Sequence, residues 1–140
     1  MKRQTKYPNT DTFMFENRNP KNILTTGDCV YRAVSKAMDI EWRDAVMELA
    51  EQACETACCP NSRKNYGLYL ERNGFKKYPQ PKHADGTKYT VREFCHEHRH
   101  GVFVVNIASH TFAVVNGRVR DTWDCSKGQW RVGNYWKKVA

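Results

Sequence analysis

The stretch from His110 to Trp123, HTFAVVNGRVRDTW, constrains the fold more than any other part of the chain. Asn116-Gly117 separates two alternating segments, and a two-residue type I′ turn needs positive φ at both central positions, which Asn and Gly tolerate. A hairpin closed there sets its own register. Val115 then faces Arg118, Val114 faces Val119, Phe112 faces Asp121 and His110 faces Trp123. Because strand side chains alternate, His110, Phe112 and Val114 share a face with Val119, Asp121 and Trp123, while Asp124 points the other way.

The segment before the hairpin, VFVVNIA from Val102 to Ala108, is short, continuous and β-branched, as a strand buried on both faces should be. Helical periods come earlier. Val30, Ala33, Val34, Ala37 and Met38 form one stripe behind Asp28, a candidate N-cap, which puts Cys29 in the first turn. Trp42, Ala45, Val46, Leu49, Ala50 and Ala53 predict a second helix from Trp42 to about Cys58, stopped by Pro60. Ser62 opens a third that carries Tyr66, Tyr69 and Leu70 and ends before Gly74. Thr90-Val91-Arg92-Glu93 matches a capping box, with Gly101 as the stop. Residues 76–89 read as a loop, and the tail from Gln129 to Val139 as one or two short strands. Residues 1–24, with Pro8, Pro20 and several Asn, show neither period and read as an extended arm. Helices first and an antiparallel sheet afterwards predict an α+β fold. Residues 25–140 form its single domain.

Composition limits the function. A chain of 140 residues, 40% hydrophobic, suits one domain that buries about two-thirds of its unfolded surface. No apolar run reaches the roughly 18 residues of a membrane helix, and MKRQTKYPNTDTF has no apolar core for a signal peptide. The expected location is a cytoplasm, the host's if a virus encodes the chain. In that reducing setting the six cysteines read as free thiols, metal ligands or a nucleophile rather than as disulfides. The formal charge of +8 suits an anionic partner. Basic residues are nevertheless spread from Lys2, Arg3 and Lys6 to Lys137 and Lys138, as on a merely basic surface.

The hairpin register makes His110 and Asp121 diagonal neighbours, with Cα atoms about 7–8 Å apart, within reach of a carboxylate–imidazole hydrogen bond. Such a pair lacks only a nucleophile. Cys29 sits where a helix N-terminus stabilises a thiolate. In a Cys-His-Asp arrangement His110 shares the thiol proton, Asp121 fixes the ring, and helix-start amides face the developing oxyanion. Gly27 would let a substrate backbone approach closely.

Gly27-Asp28-Cys29 at a helix start, followed much later by His110-Thr111-Phe112-Ala113-Val114-Val115 and by Asp121 across a hairpin, resembles the papain-like cysteine peptidase superfamily. The likeness covers about residues 22–139 and is nearest to small bacterial and phage-encoded members. It implies a papain-like domain, with N-terminal helices packed on the sheet, a protein or peptide substrate, no cofactor, and Cys29, His110 and Asp121 as nucleophile, general base and orienting residue. Many such enzymes carry a Gln six residues before the Cys as oxyanion donor. Here that position is Ile23, and Asn22 beside it is the oxyanion candidate.

A second class of function stays open: a non-catalytic module binding nucleic acid or protein, with Tyr66, Tyr69, Trp130, Tyr135 and Trp136 as stacking surfaces. A structural zinc site would draw on Cys54, Cys58 and Cys59 or on Cys95, His96, His98 and His100, although neither cluster has a standard zinc spacing. Cys95 continues the apolar stripe of Val91 and Phe94, which assigns it to packing. Oligomeric state is not legible in the sequence.

Overall fold

The computed structural model describes residues 7–140, so Lys2, Arg3 and Lys6 lie outside the described residues. Chain order is β1 (Phe13–Phe15), α1 (Cys29–Met38), α2 (Trp42–Thr56), α3 (Arg63–Arg72), β2 (Phe75–Tyr78), α4 (Val91–Glu97), β3 (Val102–Ile107), β4 (His110–Val115), β5 (Arg118–Asp121) and β6 (Tyr135–Lys138). The strands form one six-stranded sheet in the order β1-β5-β4-β3-β6-β2. The class is α+β.

Asn116 and Gly117 take φ of 50° and 79°, as the hairpin requires, and the register is Val115 to Arg118 and Val114 to Val119. β3 is buried on both faces, which explains its unbroken apolar run. Phe103, Val105 and Ile107 pack with Phe94, Phe112, Val114 and Val119 beneath α4. Val104 and Trp136 pack on the other face with Val34, Leu49, Tyr66 and Leu70 of α1–α3. The sheet is thus the middle of three layers. Gly67 sits so close to Trp136 that a Cβ there would lie 2.8 Å from the ring.

Helix starts follow their local chemistry. Ser62 accepts from the Asn65 N–H, and the capping box of Thr90 and Glu93 is made in both directions, at 2.8 and 3.1 Å. α2 ends two residues earlier than its expected limit at Cys58, because Ala57 turns left-handed at φ 59° and its N–H returns to the Ala53 carbonyl.

Three expectations need correction. The sheet is mixed rather than wholly antiparallel, since β1 runs parallel to β5. The arm read without strand period supplies that edge strand, pairing Phe15 with Asp121. Residues 76–78, read as loop, belong to β2, whose Lys76 and Lys77 are the kind of charged side chains that protect a sheet edge. Among the described residues no helix is long and apolar enough to cross a membrane.

Candidate functional site

Cys29 is the first residue of α1, and Gly27 before it takes φ 68°, a backbone form that L side chains avoid. A Cβ at Gly27 would meet nothing within 4 Å, so backbone conformation is what demands glycine there. Asp28 does not cap the helix with its side chain. Its carboxylate turns instead to the Arg32 Nε at 2.9 Å, the Trp42 indole N–H at 2.9 Å and the Asn19 amide at 3.1 Å. The first-turn amides are therefore not spent on Asp28, and they point out of the helix start beside Cys29.

The His110 Nε2 lies 2.6 Å from the Asp121 Oδ2. This bond leaves Nδ1 as the ring nitrogen for the thiol. The ring is held by Phe112, at 5.8 Å between centroids, and by Trp123 at 5.0 Å. The other oxygen of Asp121 accepts from the Thr122 N–H at 2.7 Å and from the Arg32 guanidinium. Both carboxylate oxygens are thus satisfied on a side chain only 1% exposed.

The electrostatics follow from these neighbours. Burial pushes the Cys29 thiol up, but hydrogen bonding with His110 and the Thr111 backbone N–H, with the charges of His110 and Arg32, brings it below the ordinary thiol value. Burial pushes His110 down, yet hydrogen bonds to Asp121 and Cys29 and their negative charges raise it to about 9. Both shifts act in the same sense, favouring the charged pair of a thiolate beside an imidazolium. Arg32 carries its charge 12% exposed and bridges Asp28 to Asp121.

Sequence reasoning placed Cys29, His110 and Asp121 together, and all three meet at one end of the sheet. Asn22, the oxyanion candidate, is exposed at φ 56°, and its N–H closes a turn onto the Asn19 carbonyl. The buried amide of that segment is Asn19, which ties the arm to Asp28. Asn19 and Arg32 were missed. The Asp28–Arg32 spacing of four on a helix was the available signal, but such a pair ordinarily marks a solvated face. Asp124 accepts from the Ser126 N–H at 2.9 Å and from the Ser126 hydroxyl, holding the turn after β5, whereas the carboxylate bonded to His110 is that of Asp121.

The competing clusters resolve differently. Cys95 is fully buried, and burial pushes its thiol up to about 12. His96 pairs with Asp11 at 3.1 Å, and His98 bonds the Phe94 carbonyl. Among the described residues no three His, Cys, Asp or Glu side chains are grouped to hold a metal ion. Tyr66, Tyr69 and Trp136 are core residues, which leaves half-buried Tyr135 and exposed Trp130 from the proposed stacking set.

In comparisons with known proteins, no family model, no curated protein and no solved structure matches this chain.

Proposed function

We propose that the chain is a papain-like cysteine hydrolase or acyl transferase acting on a peptide, isopeptide or amide bond. The observation that carries this reading is the Cys29–His110–Asp121 sequence of contacts at a helix start, with a lowered thiol and a raised imidazole. In the reaction the Cys29 thiolate attacks the carbonyl carbon and forms the C–S bond, while the carbonyl π pair moves onto oxygen beside the first-turn amides. Collapse of that intermediate breaks the C–N bond, and the His110 imidazolium gives its proton to the leaving amine. Water, deprotonated by the now neutral His110, then releases the acyl group; an amine acceptor in its place gives transfer. Asp121 keeps the ring oriented and supports its charge.

A cytoplasmic setting suits six free thiols. Treatment with a peptidyl acyloxymethyl ketone, followed by mass-spectrometric site assignment, tests the reading. Labelling confined to Cys29 and abolished in His110→Ala is expected; labelling spread over Cys54, Cys58 and Cys59 would overturn it.

A further inference from the structure

The end of the sheet that carries His110 opens into a cavity of about 590 Å³. Hydrogen bonds link its lining to the Cys29 site. Thr111, whose backbone N–H supports the Cys29 thiol, donates its hydroxyl to the Asn106 Oδ1 at 2.7 Å, and Asn106 lines the cavity. Asn106 in turn donates to the Asn134 Oδ1 at 3.0 Å. That bond fixes the Asn134 amide so that its Nδ2 is a donor. Among the described residues this buried Nδ2 has no hydrogen-bond partner. Trp130 also lines it, 42% exposed, and touches Trp123, which packs against His110.

The charge of this cavity has one sign. Among the described residues Arg63, Lys88 and Arg131 line it and no acidic side chain does. Among the described residues none of the three cations is in an ion pair, unlike Arg18, Arg32, Arg72 and Arg120. Arg131 makes one long bond, 3.4 Å, to the Lys88 carbonyl, which holds the two cations on the same rim. Three uncompensated charges around a concave wall focus a positive field. A free amide donor and an exposed indole beside them supply a hydrogen bond and an apolar surface.

We propose that this cavity is the substrate cleft of the Cys29 site and takes a carboxylate of a peptide, whether an acidic side chain or a chain-terminal carboxylate. The assignment rests on the hydrolase reading above. A single bowl at the Ile107–Ala108 end of β3, where Ile107 pairs with His110, fits one side chain or terminus with its neighbouring backbone. Nucleic acid would instead need a groove that tracks successive phosphates, with several exposed aromatics, and among the described residues Trp130 is the one exposed indole or phenol ring lining this wall.

The test is a nuclear magnetic resonance titration of the full chain with three otherwise identical short N-acetylated peptides: one with a central glutamate and an amidated C-terminus, one with glutamine there and a free C-terminus, one with glutamine and an amidated C-terminus. The Trp130 indole and Asn134 side-chain amide resonances should shift saturably with the glutamate peptide, the free-terminus peptide or both. Which of the two acts tells side chain from terminus. The neutral peptide should bind at least about tenfold more weakly, and Lys88→Gln with Arg131→Gln should remove that difference. Equal binding of all three peptides, no shift at millimolar concentration, or the same shifts produced by a short oligothymidylate and not by the acidic peptides would overturn the assignment. Iodoacetamide alkylation of Cys29 in the same samples separates the two claims. A fast, His110-dependent rate without carboxylate preference overturns the cleft alone, whereas an ordinary thiol rate overturns the hydrolase reading and with it the cleft's substrate role.

Discussion

Replacing Arg32 by Gln perturbs both the stability of the fold and the charge balance of the site. Arg32 bonds Asp28 and Asp121, whose side chains are 5% and 1% exposed. Removing one partner of a buried ion pair costs about 3–5 kcal/mol, because the charge left behind has neither its counter-ion nor water. Here the loss falls at the low end, about 3 kcal/mol. Asp28 keeps Asn19 and Trp42, and Asp121 keeps His110 and Thr122. At about 3 °C per kcal/mol for a domain of this size, Tm falls by roughly 9 °C. Thermal unfolding followed by circular dichroism measures the shift at neutral pH. The same variant removes a positive charge that Asp121 shares between Arg32 and His110. The His110 imidazole, followed by nuclear magnetic resonance, should then titrate above its value of about 9. A Tm drop under about 3 °C, or an unmoved His110, would refute the claim that Arg32 ties α1 to the Asp121 carboxylate.

Asp121→Asn should slow Cys29 alkylation and also lower Tm, since Arg32 then faces an amide; Asp124→Ala should leave alkylation at the wild-type rate, and the reverse pattern would mean that the hairpin register is wrong. Gly67→Ala should destabilise the fold by about 1–3 kcal/mol in urea unfolding, because its Cβ would press on the buried Trp136 ring, while Cys29 reactivity is kept. The pH dependence of stability carries a definite sign. His110 titrates at about 9 in the fold against 6.5 when unperturbed. Its contribution is therefore complete below about pH 6.5 and fades as pH rises through about 9. The stability gap between the wild type and His110→Gln should close across that window, and a gap that widens with pH would contradict the assignment.

What the sequence could reveal depended on how local the determining interactions are. Asn116-Gly117 dictates the turn, the turn dictates the register, and the register places His110 beside Asp121 without any further knowledge of the fold. Thr90 and Glu93 lie within one helical turn and are legible for the same reason. β1 is not local. Three residues pair in parallel with β5, more than 100 positions away, and parallel pairing leaves no turn motif behind. Arg32 and Asp121 are 89 residues apart, and only the packing of α1 against the sheet brings them together. Asp28 read as an N-cap because its position permits it; tertiary partners for its carboxylate outcompeted the local amides. Lys76 and Lys77 disguised β2, since charge on an edge strand erases the apolar alternation by which strands are found.

The central claim, that His110 activates Cys29, is tested most directly by the pH dependence of Cys29 alkylation by iodoacetamide, read residue by residue with mass spectrometry. In the wild type the midpoint should fall below the free-thiol value of about 8.5, because the imidazolium, the Thr111 N–H and Arg32 outweigh burial. In His110→Ala the midpoint should rise to that value or above it, with the rate at neutral pH reduced. A wild-type midpoint at or above about 8.5 that does not move on removing the imidazole would contradict the account.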